Sequence, residues 1–287
     1  MFYLFGTVVT TAYLFLLFKW LGKNNIPVLP IIIINYGICA LTGSLMNLPS
    51  LLQPQEPIVL EGIIGALVLG SIFLPCFFLL GITTVKIGVG PTTIANKLSM
   101  ILPSLFSLIY FGHQVSVYYP FIFILAALSI YLVSPKSDQN LSAGNWYLPL
   151  IIFVAGGIID VLLLLCNTNY VRPEQTSTFT ILLFITAFTN GVLYWIISGQ
   201  WKKMGFSGKW LLYGALLGIP NYFSVYFLLK TLAAFENNGA MVFPILNLSI
   251  ILISTGISKI LFKDVITKRM FWGLFCSLLC LALLTLT

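Results

Sequence analysis

An all-α membrane protein, with ten transmembrane helices arranged as two inverted five-helix repeats, is the architecture the sequence predicts. Its basis is threefold. The 287-residue chain is 59% hydrophobic and only 7% charged, where soluble domains carry about 25% charge, and its mean hydropathy is +1.04. The apolar residues form long unalternated runs, which suit helices that close their backbone bonds internally and not barrel strands. The basic residues fall between the runs, mostly on one side of a ten-span layout.

The first span runs from about Phe2 to Phe18 and stops at Lys19-Trp20. No cationic leader precedes it, so it reads as a membrane helix and not a cleavable signal. The second covers about Val28 to Leu45; Pro49, Pro54 and Pro57 then forbid a continuing helix. The third covers about Leu60 to Val85, with Pro75 as a kink, and turns at Gly88-Val89-Gly90 into the fourth, Pro91 to Gly112. Pro91 suits a first helical position. The fifth covers about Tyr118 to Val133. The polar stretch around 137–145 is the joint between a first unit, 1–136, and a second, 146–287. The sixth span covers about Trp146 to Cys166, the seventh Thr176 to Ile197, and the eighth Trp210 to Leu229, interrupted at Pro220-Asn221. The ninth covers about Ala240 to Phe262 and the tenth Met270 to Leu286.

The two units can be laid on one another. Phe78-Leu79-Leu80 matches Phe227-Leu228-Leu229, Gly90 matches Gly239, and Lys97-Leu98-Ser99 lies over Asn247-Leu248-Ser249. Five spans per unit is odd, so the second unit enters from the opposite side. The charges agree: Lys19, Lys23, Lys86, Lys136, Lys202, Lys203, Lys209, Lys259, Lys263, Lys268 and Arg269 share one side, against Arg172 and Lys230 on the other. By the positive-inside rule the lysine-rich side is cytoplasmic and both termini lie outside.

Several functions are excluded by what is missing. The formal charge of +7 comes with no basic run interleaved with aromatics, which argues against nucleic acid. Cys39, Cys76, Cys166, Cys276 and Cys280 lie in apolar runs without CxxC spacing, so they read as small core residues and not as a disulfide or metal set. His113 is the sole histidine and sits in a loop without ligand neighbours. No phosphate-binding glycine motif is present, so no cofactor, metal or nucleotide is expected. An intramembrane enzyme would need a second buried acid, a Ser/His arrangement or a metal set, and none is present.

Two charges lie inside spans. Lys97 is in the fourth, at a cost of about 2.5–3.5 kcal/mol or more at bilayer depth. It either faces a solute path or snorkels to the nearer interface. Asp160 is in the sixth, beside Gly156-Gly157, and calls for a cation or a neutral state. A direct Lys97–Asp160 bridge, a water- or cargo-mediated link, and a static ion pair that only fixes packing all fit. A second tier comprises Asn96, Asn247, Asn221, Tyr222, Asn35 and Asn190, which line a path or hydrogen-bond between helices. Phe77, Phe78, Tyr226 and Phe243 either wall a binding site or are core.

The ten short spans, the two five-span halves, Ala95-Asn96-Lys97-Leu98-Ser99 and Gly156-Gly157-Ile158-Ile159-Asp160 together resemble the drug/metabolite transporter superfamily, in its group of EamA-type permeases. The polar loop that often reads Gly-Glu there is Gly112-His113-Gln114 in the first unit and Lys263-Asp264 in the second, so only Asp264 keeps the acid. The resemblance implies a central cavity lined by spans one, three, four, six, eight and nine, and termini inside, opposite to what the charges give. It also implies a secondary transporter in the bacterial inner membrane, moving a small polar or amphipathic metabolite by alternating access, with proton coupling through Asp160 as one option. The partners expected are that solute and the bilayer. The alternative is a structural or sensory membrane protein that retains the fold without transport.

Overall fold

The structure, a computed structural model, describes residues 2–48, 57–110, 117–133, 147–199, 207–262 and 267–284. The joint at 137–145, the loop Gly112-His113-Gln114 and the pair Lys263-Asp264 lie outside the described residues. Among those described, the regular structure is helical, with no strand. The α-helices are α1 (Phe2–Lys23), α2 (Val28–Met46), α3 (Leu60–Ile87), α4 (Val89–Leu98), α5 (Ile101–Tyr110), α6 (Tyr119–Val133), α7 (Leu148–Asn169), α8 (Thr176–Ile197), α9 (Gly208–Ala234), α10 (Gly239–Phe262) and α11 (Lys268–Leu284). Among the described residues, seven spans are long and apolar enough to cross a bilayer: α1, α2, α3, α7, Pro173–Ile197, α9 and Ile245–Phe262. The chain is therefore a multi-pass membrane protein.

Two expectations are corrected. The run from Pro91 to Gly112 is not one helix: it breaks at Ser99-Met100 into α4 and α5. Pro103 is the cause. It has no N–H to give the Ser99 carbonyl, and its ring crowds that carbonyl. Leu102 N–H donates to Ser99 O at 3.0 Å instead, and the Ser99 hydroxyl bonds the Asn96 carbonyl. Conversely, Pro220 does not interrupt the eighth span, because α9 is continuous through it, as α3 is through Pro75. Both prolines lie where α2 supplies a donor to a carbonyl two residues upstream. Tyr36 Oη donates to Phe73 O at 2.8 Å, and the Cys39 thiol to Gly218 O at 3.1 Å.

Helix α2 lies between α8 and α9, α1 runs along α9 and α10, and α7 packs on α3 and on both α4 and α5. Helices α3 and α8 pair, α4 and α5 pack on α10, and α6 pairs with α11. Glycines set the closest approaches: a Cβ on Gly218 would fall 2.7 Å from Asn35 O, and one on Gly214 2.3 Å from Ile34. Small residues let backbones meet in this way where lipid gives helices no hydrophobic drive to associate. The buried apolar residues form two clusters. One is centred on α2, α3, α8 and α9, the other on α4, α5 and α10.

The described basic side chains other than Lys97, Arg172 and Lys230 gather at one end of the bundle. Lys19 Nζ lies close to Gly88, Lys23 Nζ sits 5.8 Å from the Phe262 ring centroid, and Arg269 donates to Tyr131 O at 2.5 Å. The opposite, lysine-poor pole is tied by amides: Gln175 donates to Pro57 O at 3.4 Å, and Asn169 to Tyr110 Oη at 2.9 Å.

Gly218→Val tests the α2–α9 contact. The added side chain meets backbone that cannot rotate away, and overpacking of this kind costs about 1–3 kcal/mol. A fall of several degrees in the apparent Tm of the solubilised protein is expected, whereas Gly208→Ala, where nothing lies within 4 Å of the new Cβ, should leave it unchanged.

Candidate functional site

A cavity of about 150 Å³ lies between the two apolar clusters. Six spans wall it: α1, α3, α4, α7, α9 and α10. That volume suits a benzene-sized molecule in a protein core. Leu14, Phe73, Leu163 and Val225 bring the first cluster to its wall, and Phe15, Phe243, Leu246 and Ile250 bring the second.

Both intramembrane charges line this cavity. Lys97 is delivered by the last turn of α4, just before the break at Ser99-Met100. Its ammonium stands 5.9 Å from the Phe15 ring centroid, a cation–π distance. Asp160 is delivered by α7, one turn beyond Gly156-Gly157. These two glycines allow the approach: a Cβ on Gly156 would fall 2.8 Å from Asn96 Nδ2 and from Ser99 Oγ, and one on Gly157 2.3 Å from Leu102 Cδ1. Lys97 and Asp160 interact electrostatically, yet they form no ion pair within 4.0 Å.

The second-tier residues divide. Asn96, Asn221 and Asn247 line the cavity, but Tyr222 does not. Its ring is buried, and its hydroxyl accepts from Asn47 Nδ2 at 3.0 Å, at the end of α2. Asn35 supports the site from behind, accepting from Asn221 Nδ2 at 3.2 Å. Asn190 lies elsewhere, donating to Ser71 Oγ at 2.9 Å between α8 and α3. Of the four aromatics, Phe77 and Phe243 are on the wall, while Phe78 and Tyr226 are not.

Sequence reasoning missed Thr7, Thr11, Cys76 and Ser224, which also line the cavity. The Thr7 and Ser224 hydroxyls are engaged with backbone, Thr7 with Tyr3 O at 2.9 Å and Ser224 with Asn221 O at 2.8 Å. Thr11 had a signal in the repeat. The offset that carries Phe78 onto Phe227 and Gly90 onto Gly239 also carries Thr11 onto Asp160.

Among the described residues, the side chains of Lys97, Asp160, Asn96 and Asn247 make no hydrogen bond to protein. Their donors and acceptors are turned to the cavity. An ammonium, a carboxylate and two amides with free capacity can hold a polar molecule by both its ends. The described residues hold no group of three or more metal-binding side chains.

The charge pair makes a stability prediction that needs no ligand. Lys97→Met leaves a carboxylate facing apolar walls, and Asp160→Asn leaves an ammonium. Removing one partner of a buried pair costs about 3–5 kcal/mol, and less here because the two are not in contact. Each single variant should lower the apparent Tm, and the double variant should recover at least half of the larger loss. Additive losses would mean that the two charges do not sense one another.

No family model matches the chain. A curated protein of Haemophilus influenzae, described as "Uncharacterized protein", is 26% identical over 212 residues, covering 72% of this chain and 70% of that one. A solved structure described as "Crystal structure of protein" superposes with a TM-score of 0.62 at 15% identity, covering 98% of each chain. That likeness is one of fold alone.

Proposed function

We propose that the chain is a secondary transporter that moves a small polar solute through the central cavity by alternating access, and that it is an EamA-type permease of the drug/metabolite transporter superfamily. The observation that carries this reading is the pair Lys97 and Asp160, facing one cavity without closing an ion pair. A pair kept only for packing gains most by direct contact, since burying two charges is repaid only by good mutual geometry. Charges held apart across a space with free amides beside them suit a cargo that bears both signs. The cargo is then a small zwitterion, neutral overall, of about six to ten non-hydrogen atoms for a cavity of this size.

Alternating access by rocking of two inverted repeats is supported by the cavity wall and by the packing. One register offset carries Thr7 onto Gly156, Thr11 onto Asp160, Leu14 onto Leu163 and Cys76 onto Val225, and all eight line the cavity. Exchanging α1, α2, α3, α4–α5 and α6 for α7, α8, α9, α10 and α11 maps the main packing pairs onto one another. The pair α2 with α9 becomes α8 with α3, and α1 with α10 becomes α7 with α4–α5. The pairs α2 with α8 and α6 with α11 map onto themselves. The lysine-rich pole is then the cytoplasmic one by the positive-inside rule, in a bacterial inner membrane. Coupling to protons through Asp160 is an option within this reading.

Reconstituted protein tests it. A thermal-shift screen of small zwitterions, cations and anions should find zwitterions alone raising the apparent Tm, by about 2.7 kcal/mol of linkage at one hundred times Kd. Uptake of the best binder into proteoliposomes should be lost in both Lys97→Met and Asp160→Asn. Unchanged uptake in Asp160→Asn at lowered stability would assign the pair to packing. Binding without uptake would favour the sensory alternative.

A further inference from the structure

A second chamber, of about 430 Å³, lies at the lysine-poor pole. It is walled by the end of α7 and the turn after it (Asn167 to Pro173), by Gln175, by Pro57 and Val59 ahead of α3, and by Ala233 and Asn237 at the end of α9. Two helices line both chambers. On α7, Asp160 and Leu163 face the central cavity and Asn167 the second chamber. These three positions share one helix face, and Leu163 and Asn167 are about 6 Å apart at 1.5 Å rise per residue. On α9, Leu228 lines the first chamber and Ala233 the second. The chambers are thus stacked along one face, with about one helical turn between them.

Side-chain bonds tie the two helices at this pole, Lys230 Nζ on α9 donating to Pro173 O at 2.5 Å in the turn after α7. Asn167 Nδ2 donates to Asn237 Oδ1 at 2.7 Å, tying the end of α7 to the turn between α9 and α10. This turn is held in an unusual shape: Glu236 and Asn237 have φ of 54° and 57°, a left-handed conformation that side chains other than Asn and Asp disfavour. In the other unit the same register offset puts Gly88, with φ of 98°, at the position of Asn237, and Phe18 at that of Asn167. The amide pair therefore has no counterpart at the lysine-rich pole. There the corresponding positions hold an apolar ring and a residue with no side chain.

We infer that the second chamber is the antechamber of the solute path at the lysine-poor pole, and that the Asn167–Asn237 hydrogen bond is the latch that closes the central cavity to it. The inference rests on the transport reading for what passes, but the latch itself is testable without any cargo. Both walls of the antechamber carry amides, from Asn167, Gln175 and Asn237, so it receives a polar solute. Breaking the bond frees the α9–α10 turn from α7 and opens the turn of helix that separates the chambers.

Cys76 lines the central cavity and provides the readout. In a chain with Cys39, Cys166, Cys276 and Cys280 replaced by alanine, a membrane-impermeant methanethiosulfonate reagent is applied to sealed vesicles of either orientation. Asn237→Gly keeps the left-handed turn and removes the amide. Asn167→Ala removes the donor. Asn237→Asp keeps an acceptor. At least a tenfold faster modification of Cys76 is expected in Asn237→Gly and Asn167→Ala, only in vesicles that present the lysine-poor pole, with Asn237→Asp close to the parent. Unchanged rates in both amide-deleting variants, or acceleration only from the lysine-rich pole, would overturn the latch. If Cys76 opens as expected but flux of a bound zwitterion is unaltered by every variant, the latch stands and it is the transport reading that fails.

Discussion

The contact of α7 with the α4–α5 break is what the site depends on. Gly156 and Gly157 bring the α7 backbone against Asn96, Ser99 and Leu102 so closely that a methyl group on either would collide. That closeness puts Asp160, one turn along α7, into the same cavity as Lys97 at the end of α4. The break and the glycines therefore act together. A straight fourth span would carry its backbone bonds past Ser99, whereas the chain breaks there, with the Ser99 hydroxyl on the Asn96 carbonyl and the Asn96 side chain lining the cavity.

Helix boundaries were legible because apolar runs of span length bounded by Pro, Gly and lysine have few alternatives in a bilayer. Helix α8 runs from Thr176 to Ile197 as the sequence predicts, and α10 ends at Phe262. Lys97 and Asp160 stood out for the same reason, since charge inside such a run needs an account. The break at Ser99-Met100 was not read, although Pro103 was in plain view. A proline within a span kinks some helices and breaks others, and neighbours decide which. The helices through Pro75 and Pro220 continue, while one turn before Pro103 the chain breaks into the contact with α7.

Which face a residue presents was the least legible property. Asn221 and Tyr222 are adjacent in sequence, yet only Asn221 reaches the cavity, while Tyr222 turns to Asn47. A helix separates neighbours by about 100°, and no strong amphipathic pattern marks the inward side when the outward side meets lipid and not water. Thr7 and Thr11 were passed over because a threonine in a membrane helix satisfies itself on a carbonyl one turn back, as Thr7 does on Tyr3. Such a residue gives no sign of where its other face points.

The two kinds of helix contact in this bundle divide labour between rigidity and motion. Helices α2 and α9 meet backbone to backbone through Gly214 and Gly218, and the buried amides of Asn35 and Asn221 bond across the same seam. Separating them would strip that amide pair of its partners in hydrocarbon and lose dispersion over the whole contact. The α7 terminus and the α9–α10 turn are joined instead by side-chain amides beside a chamber, at a pole where water can replace each bond at small net cost. The glycine seam of α2 with α9 is therefore the costlier of the two contacts to open. By the same packing relation α3 is seamed to α8, where Gly70 meets the Leu183 carbonyl at a Cβ distance of 2.5 Å. Each seam joins one helix from each half of the chain, so the two halves are held together through their glycines and not through their polar ends.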